Sequence, residues 1–118
     1  MTDGRLMRSM LLDFYGELLT ERQRECYDLH YNDDLSLAEI AEQSGVSRQC
    51  VWDNIRRAEA SLQEIESKTG LIRRFSETQD ALAAAAERLK ELCAMTDGDA
   101  RTLAQSALED IEALREKR

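Results

Sequence analysis

Residues 36–59 read SLAEIAEQSGVSRQCVWDNIRRAE, and this stretch decides the fold. Ser36 followed by Glu39 is a capping box, in which the serine hydroxyl takes an amide N–H and the glutamate reaches back to the cap. It opens a short helix over 37–43. Ser44-Gly45-Val46 breaks that helix. Gly45 stands where a tight turn needs a positive φ, which glycine adopts without strain. Ser47 then caps a second helix. Ala41 is small where the two helices cross, Val46 plugs the junction, and Val51 and Ile55 seal the second helix onto the first. An ordinary helical hairpin does not require this placement of Ala, Gly and Val. Residues 36–58 therefore read as a helix-turn-helix.

Moving outward, Val51, Ile55, Ala58, Leu62 and Ile65 repeat at four, three, four and three, so the second helix is expected to run to about Lys68 and to end at Thr69-Gly70. Upstream, Thr20 to Gln23 forms another capping box and starts a helix to about Tyr31, with Cys26, Leu29 and His30 turned inward. Asn32-Asp33-Asp34 is a turn cluster. A first helix is expected over 5–18, with Met7, Leu11, Phe14 and Leu18 on one face, widened by Leu6, Met10 and Tyr15. Gly16 weakens its end. Downstream, 71–95 is expected to be a helix with Phe75, Leu82, Leu89 and Leu92 on one stripe and Ala83–Ala86 as a smooth packing surface. A turn at Thr96 to Asp99 precedes a last helix over 101–118 with Leu103, Ala107, Ile111 and Leu114 inward. These two helices are expected to form an antiparallel hairpin, and their near-heptad spacing also suits a seam with a partner chain.

The composition agrees. The chain has 118 residues with 42% apolar side chains, no proline, five glycines and few aromatics. That favours long helices and a modest core over strands or disorder. The expected fold is all-α, a helix-turn-helix domain over 1–70 followed by a C-terminal helical hairpin or dimerisation extension over 71–118. No apolar run approaches the ~18–20 residues of a membrane span. The N-terminus lacks the apolar core of a signal peptide. Cys26, Cys50 and Cys93 are widely spaced and not in CxxC pairs, which reads as reduced thiols packed as small hydrophobes in a cytoplasmic protein. No phosphate loop, nucleophile–base pair or metal cluster can be assembled, so neither catalysis nor a cofactor is expected.

The second helix of such a motif reads base edges with its N-terminal residues. With Val51 and Ile55 inward, its outward face carries Gln49, Asp53, Arg56 and Arg57, flanked by Arg48 and Trp52. Arg48, Gln49, Trp52, Arg56 and Arg57 are the candidate nucleic-acid or partner-binding residues. Two features oppose DNA. Asp53 lies mid-face and repels phosphate. The net charge is −8 overall, and residues 1–70 hold eight Lys/Arg against fourteen Asp/Glu, although 47–60 carry a net +1. Trp52 either stacks in an interface or packs against the N- or C-terminal helices of its own chain.

The stretch from Leu18 to Leu62 resembles region 4 of bacterial sigma factors, the part that reads the −35 promoter element. The chain is too short to hold a sigma region 2 as well, so a complete sigma factor is not expected. The longer similarity is to the YlxM family, small bacterial proteins encoded beside signal recognition particle genes. It is carried by LLDFYGELLTERQREC (11–26) and by DDLSLAEIAEQSGVSRQCVWDNIRRAE (33–59), with DFYG and DNIRR as the discriminating pieces. It spans about residues 6–75, and Cys50 and Trp52 depart from the small residue and tyrosine expected there. The resemblance implies an all-helical fold, a homodimer, and an accessory or regulatory role through contact with the particle's GTPase, its receptor or its RNA. The alternative is a dimeric DNA-binding transcriptional regulator. An acidic chain suits a basic protein partner by electrostatic steering.

Overall fold

The computed structural model describes residues 4–117. It contains six helices and no strand among those residues: α1 (Gly4–Tyr15), α2 (Glu21–Tyr31), α3 (Leu37–Ser44), α4 (Arg48–Thr69), α5 (Leu71–Met95) and α6 (Gly98–Glu116). The fold is all-α. The chain divides into two compact units, with the division between Ile72 and Arg73.

In the first unit, α4 is the common surface. Val51, Ile55, Ala58 and Leu62 have no exposed area. Val51 and Ile55 close a cluster with Cys26 of α2 and Ile40 and Ala41 of α3, capped by half-buried Val46 and Leu37. Ala58 and Leu62 close a second cluster with Leu11 and Tyr15 of α1, Tyr27 of α2 and Ile72. Fully burying the valine, isoleucine and leucine side chains among these contributes about 1.5–3 kcal/mol each.

The local signals hold each joint. Thr20 and Ser36 both form complete capping boxes, and the Ser47 hydroxyl accepts from the Cys50 amide at 3.0 Å. Gly45 ends α3 at φ +69 and Gly70 ends α4 at φ +61, left-handed geometry that other residues adopt only at a cost. The α4–α5 joint carries a clasp as well. The Tyr15 hydroxyl donates to Glu66 Oε1 at 2.6 Å and lies 2.6 Å from Thr69 Oγ1, and the Ile72 amide donates to the same Glu66 oxygen at 3.1 Å.

One expectation for α1 fails. The helix stops at Tyr15, and Gly16–Leu18 tighten into a 3-10 turn. Three residues per turn instead of 3.6 rotates the end of the stripe. Leu18 is left 70% exposed, and Leu19 packs on the core instead. Leu6 is exposed as well, so it does not widen the buried face. His30 is half-buried, with Nδ1 2.9 Å from the Leu35 carbonyl across the Asn32–Asp34 turn.

In the second unit, α5 and α6 run antiparallel. Gln79 of α5 bonds the Arg115 carbonyl at 3.5 Å, and Cys93 lies 3.7 Å from Gln105, with its thiol as donor. Ala86, Cys93, Ala104 and Leu108 are buried. Three residues expected inward are not: Leu92, Leu103 and Leu114 are exposed, as is Met95. A helix with one neighbour in its own unit buries one narrow seam, and the rest of an apolar stripe stays in water. The last helix also begins earlier than expected, at Gly98 instead of Arg101.

Tyr27 sets an alkaline limit on the first unit. Burial, then the charge of Glu59, pushes its hydroxyl well above the ordinary value near 10, while Arg8 pulls the other way. The folded chain keeps this proton when the unfolded chain has lost it. Stability contributed by Tyr27 is therefore intact below pH 10 and falls above it, by about 1.4 kcal/mol per pH unit up to the folded value. Urea titrations from pH 8 to 11.5 should show this decline, and Tyr27→Phe should make it shallower while lowering stability at pH 8, the remainder coming from Tyr15 and Tyr31, whose values are also raised by burial.

Candidate nucleic-acid and partner interface

The five candidate residues all lie in the first two turns and a half of α4, and the structure brings them onto its solvent side. Arg48, Gln49, Arg56 and Arg57 are exposed, and Trp52 is 37% exposed. Trp52 lines an open concavity of about 810 Å³ between the N-terminal turns of α3 and α4, with Ser36–Ala38 on one side and Ser47–Gln49 on the other. The indole thus stands partly in solvent beside α3 and does not join either core cluster.

Charge on this face is arranged differently from a simple count. Asp53 accepts a hydrogen bond from the Gln49 side-chain amide at 3.0 Å. Glu59 is half-buried, and its charge helps raise the Tyr31 pKa, after burial itself. Both acids of this segment are thus engaged within the chain. By contrast, Arg48, Arg56 and Arg57 take part in none of the ion pairs among the described residues. The first turn of α4 holds no acid, so the positive end of the helix dipole is uncompensated there. The α3 N-terminus differs, because the Glu39 carboxylate caps the Ser36 amide at 3.1 Å, and that bond lowers its pKa.

Gln49 is therefore less free than its sequence position implied. Its amide donors are partly committed to Asp53, which weakens the bidentate reading of adenine that a free glutamine offers. Asn54 was missed by the sequence reading. It bonds back to the Cys50 carbonyl at 2.9 Å and to Cys50 Sγ at 3.5 Å, which fixes the thiol under the first turn of α4. Among the described residues, no group of three or more His, Cys, Asp or Glu is placed to hold a metal ion. No helix among them is long and apolar enough to cross a membrane.

A short helix turned by a left-handed glycine onto a longer helix that shares its core defines a helix-turn-helix protein. The chain belongs to the UPF0122 family, whose model matches residues 2–97 and is described as "Putative helix-turn-helix protein, YlxM / p13 like". Helix α6 lies beyond that match. Among similar relatives are a UPF0122 protein of Halalkalibacterium halodurans, 48% identical over 91 residues (77% of this chain, 80% of the relative). Another, from Bacillus mycoides, is 52% identical over 81 residues (69% and 74%). One from Bacillus thuringiensis is 52% identical over 82 residues (70% and 71%).

Thiol reactivity checks the local geometry. Cys26 has no exposed area and its pKa is raised by burial, Cys93 is buried, and Cys50 is half-buried. A disulfide reagent should therefore modify Cys50 first in the native chain, and all three thiols only in denaturant. Peptide mapping of the labelled site identifies which thiol reacts.

Proposed function

We propose that this chain is a non-enzymatic accessory or regulatory protein of the signal recognition particle pathway, acting in the cytoplasm by binding the particle's GTPase or RNA through the exposed face of α4. The observation that carries the contact surface is the pairing pattern on that face: its acids are engaged internally and its three arginines are left for a partner. The pathway assignment rests on the YlxM resemblance of the DFYG and DNIRR segments. The chain's net charge of −8 favours a basic protein partner at long range.

Fluorescence anisotropy with the particle's RNA, and a hydrolysis assay with its GTPase, test this reading. The chain should bind one of them saturably or change the hydrolysis rate. Arg56→Ala with Arg57→Ala should weaken binding by about tenfold, roughly 1.4 kcal/mol over the two side chains. A chain that neither binds these components nor alters the GTPase overturns the pathway assignment. A second reading, a dimeric DNA-binding transcriptional regulator of the sigma region 4 type, is favoured by the acid-free first turn of α4 with Arg48 in it. Saturable, sequence-dependent shifts of genomic DNA fragments at moderate salt would replace the first reading with this one.

Homodimerisation is part of the proposal, through the α5–α6 unit. Met95 and Leu103 are 80% and 74% exposed, with Leu92 and Leu114 also in water, an apolar cost that a partner surface relieves. Sedimentation equilibrium should give a dimer, and Leu92→Lys with Leu103→Lys should shift it to monomer without loss of helicity. A wild-type monomer at high concentration removes the dimer from the proposal.

A further inference from the structure

Positions 48, 52 and 56 are four residues apart, so Arg48, Trp52 and Arg56 form one ridge of α4, each about 6 Å along the axis from the next. Gln49, Asp53 and Arg57 form the neighbouring ridge. The two ridges differ in chemistry. The first alternates cation, indole, cation. The second has a carboxylate at its centre, tied to Gln49.

A helix that enters a duplex groove presents both ridges to phosphates and base edges, and Asp53 then meets the phosphate wall. A single strand follows one ridge. Aromatic side chains flanked by cations are how proteins hold unpaired bases: the base stacks on the ring and the backbone pairs with the charges. Trp52 has both requirements, an exposed indole and an open concavity beside it to admit a base.

We infer that the Arg48–Trp52–Arg56 ridge binds single-stranded nucleic acid, with one unpaired base stacked on the Trp52 indole and the adjacent phosphates paired with Arg48 and Arg56. The walls of the concavity say how selective this is. Ser36 and Ser47 use their hydroxyls as helix caps, and Gln49 donates to Asp53. The wall then supplies shape and little base-edge readout, so binding is sequence-tolerant. Glu59, about one turn beyond Arg56, is half-buried, off the ridge, and its charge acts on Tyr31. This inference deepens the proposed function and rests on its placement of the contact surface on α4.

Trp52 is the only tryptophan, so intrinsic fluorescence reports this site alone. The full chain is titrated at 50 mM salt with oligouridylate and oligoadenylate of about twelve nucleotides, the matching DNA strands and the corresponding duplexes. Single strands of both sequences should quench Trp52 saturably, and duplexes should bind at least tenfold more weakly. RNA against DNA tells which sugar the site prefers. Two phosphate contacts should give a salt slope of about −1.4, and Arg48→Ala or Arg56→Ala should each reduce it by about 0.7. With labelled strands read by anisotropy, Trp52→Ala should weaken binding roughly five- to a hundredfold, with helicity unchanged, and Trp52→Phe should recover most of it. Absence of quenching, tighter binding to duplex, or a Trp52→Ala variant that binds as well as the parent overturns the inference. Emission that responds to the particle's GTPase and to no oligonucleotide makes the site a protein contact; the inference then fails and the proposed function stands. Strands that bind as expected while neither particle component does leave the ridge in place and remove the pathway assignment.

Discussion

One stripe of one helix organises the first unit. Val51, Ile55, Ala58 and Leu62 lie along the inward side of α4, and each is fully buried. The upper pair closes the cluster that joins α2 and α3, and the lower pair closes the cluster that joins α1 and α2. No other helix serves both clusters with its own stripe in this way except α2, which contributes Cys26 to one and Tyr27 to the other. Truncating Val51 or Ile55 therefore loosens the packing of α3, and truncating Leu62 loosens that of the N-terminal helix. Tyr27, one of the largest fully buried side chains, shares a cluster with Ala58, and its hydroxyl donates to the Arg8 carbonyl at 3.3 Å.

The same stripe fixes the functional face by exclusion. Once four positions of α4 point inward, the helical period determines which side chains meet water. Arg48, Trp52 and Arg56 fall on one flank, and Gln49, Asp53 and Arg57 on the neighbouring ridge opposite the core. The rigid inner side gives these surface groups defined positions without any need to be held by each other. The turn at Gly45 then sets α3 beside the first turn of α4, which makes the concavity next to Trp52. Packing and site are thus two readings of a single periodicity.

Much of this was legible in the sequence because its causes are local. The caps at Thr20, Ser36 and Ser47 depend on residues three apart, and the turns at Gly45 and Gly70 depend on one residue's freedom at positive φ. The four-three-four repeat of α4 names its own inward face. The failures have a common origin in geometry that is not local. Leu18 keeps helical spacing with Leu11 and Phe14, but the chain tightens at Gly16 and the spacing no longer maps to an angle. Leu103 and Leu114 repeat as a buried stripe does, yet periodicity states only that a face is apolar, not that anything covers it. The clasp of Tyr15 on Glu66 and Thr69 joins residues more than fifty apart and has no signature in either segment.

Charge shows the same gap between pattern and structure, and here it changes the functional argument. From sequence, the start of α4 is a helix with three arginines and two acids, close to neutral in an acidic chain. In the fold, Asp53 is bonded to Gln49 and Glu59 faces Tyr31, whereas the arginines make no ion pair among the described residues. A partner approaching within a Debye length, ~8–10 Å at physiological salt, meets this local arrangement more than the distant total. Asp53 still carries its charge, so it continues to penalise a ligand that covers both ridges of α4. It does so far less for a ligand confined to the ridge of Trp52. The acid that argued against nucleic acid in general thus argues, once its position is known, against one geometry of it.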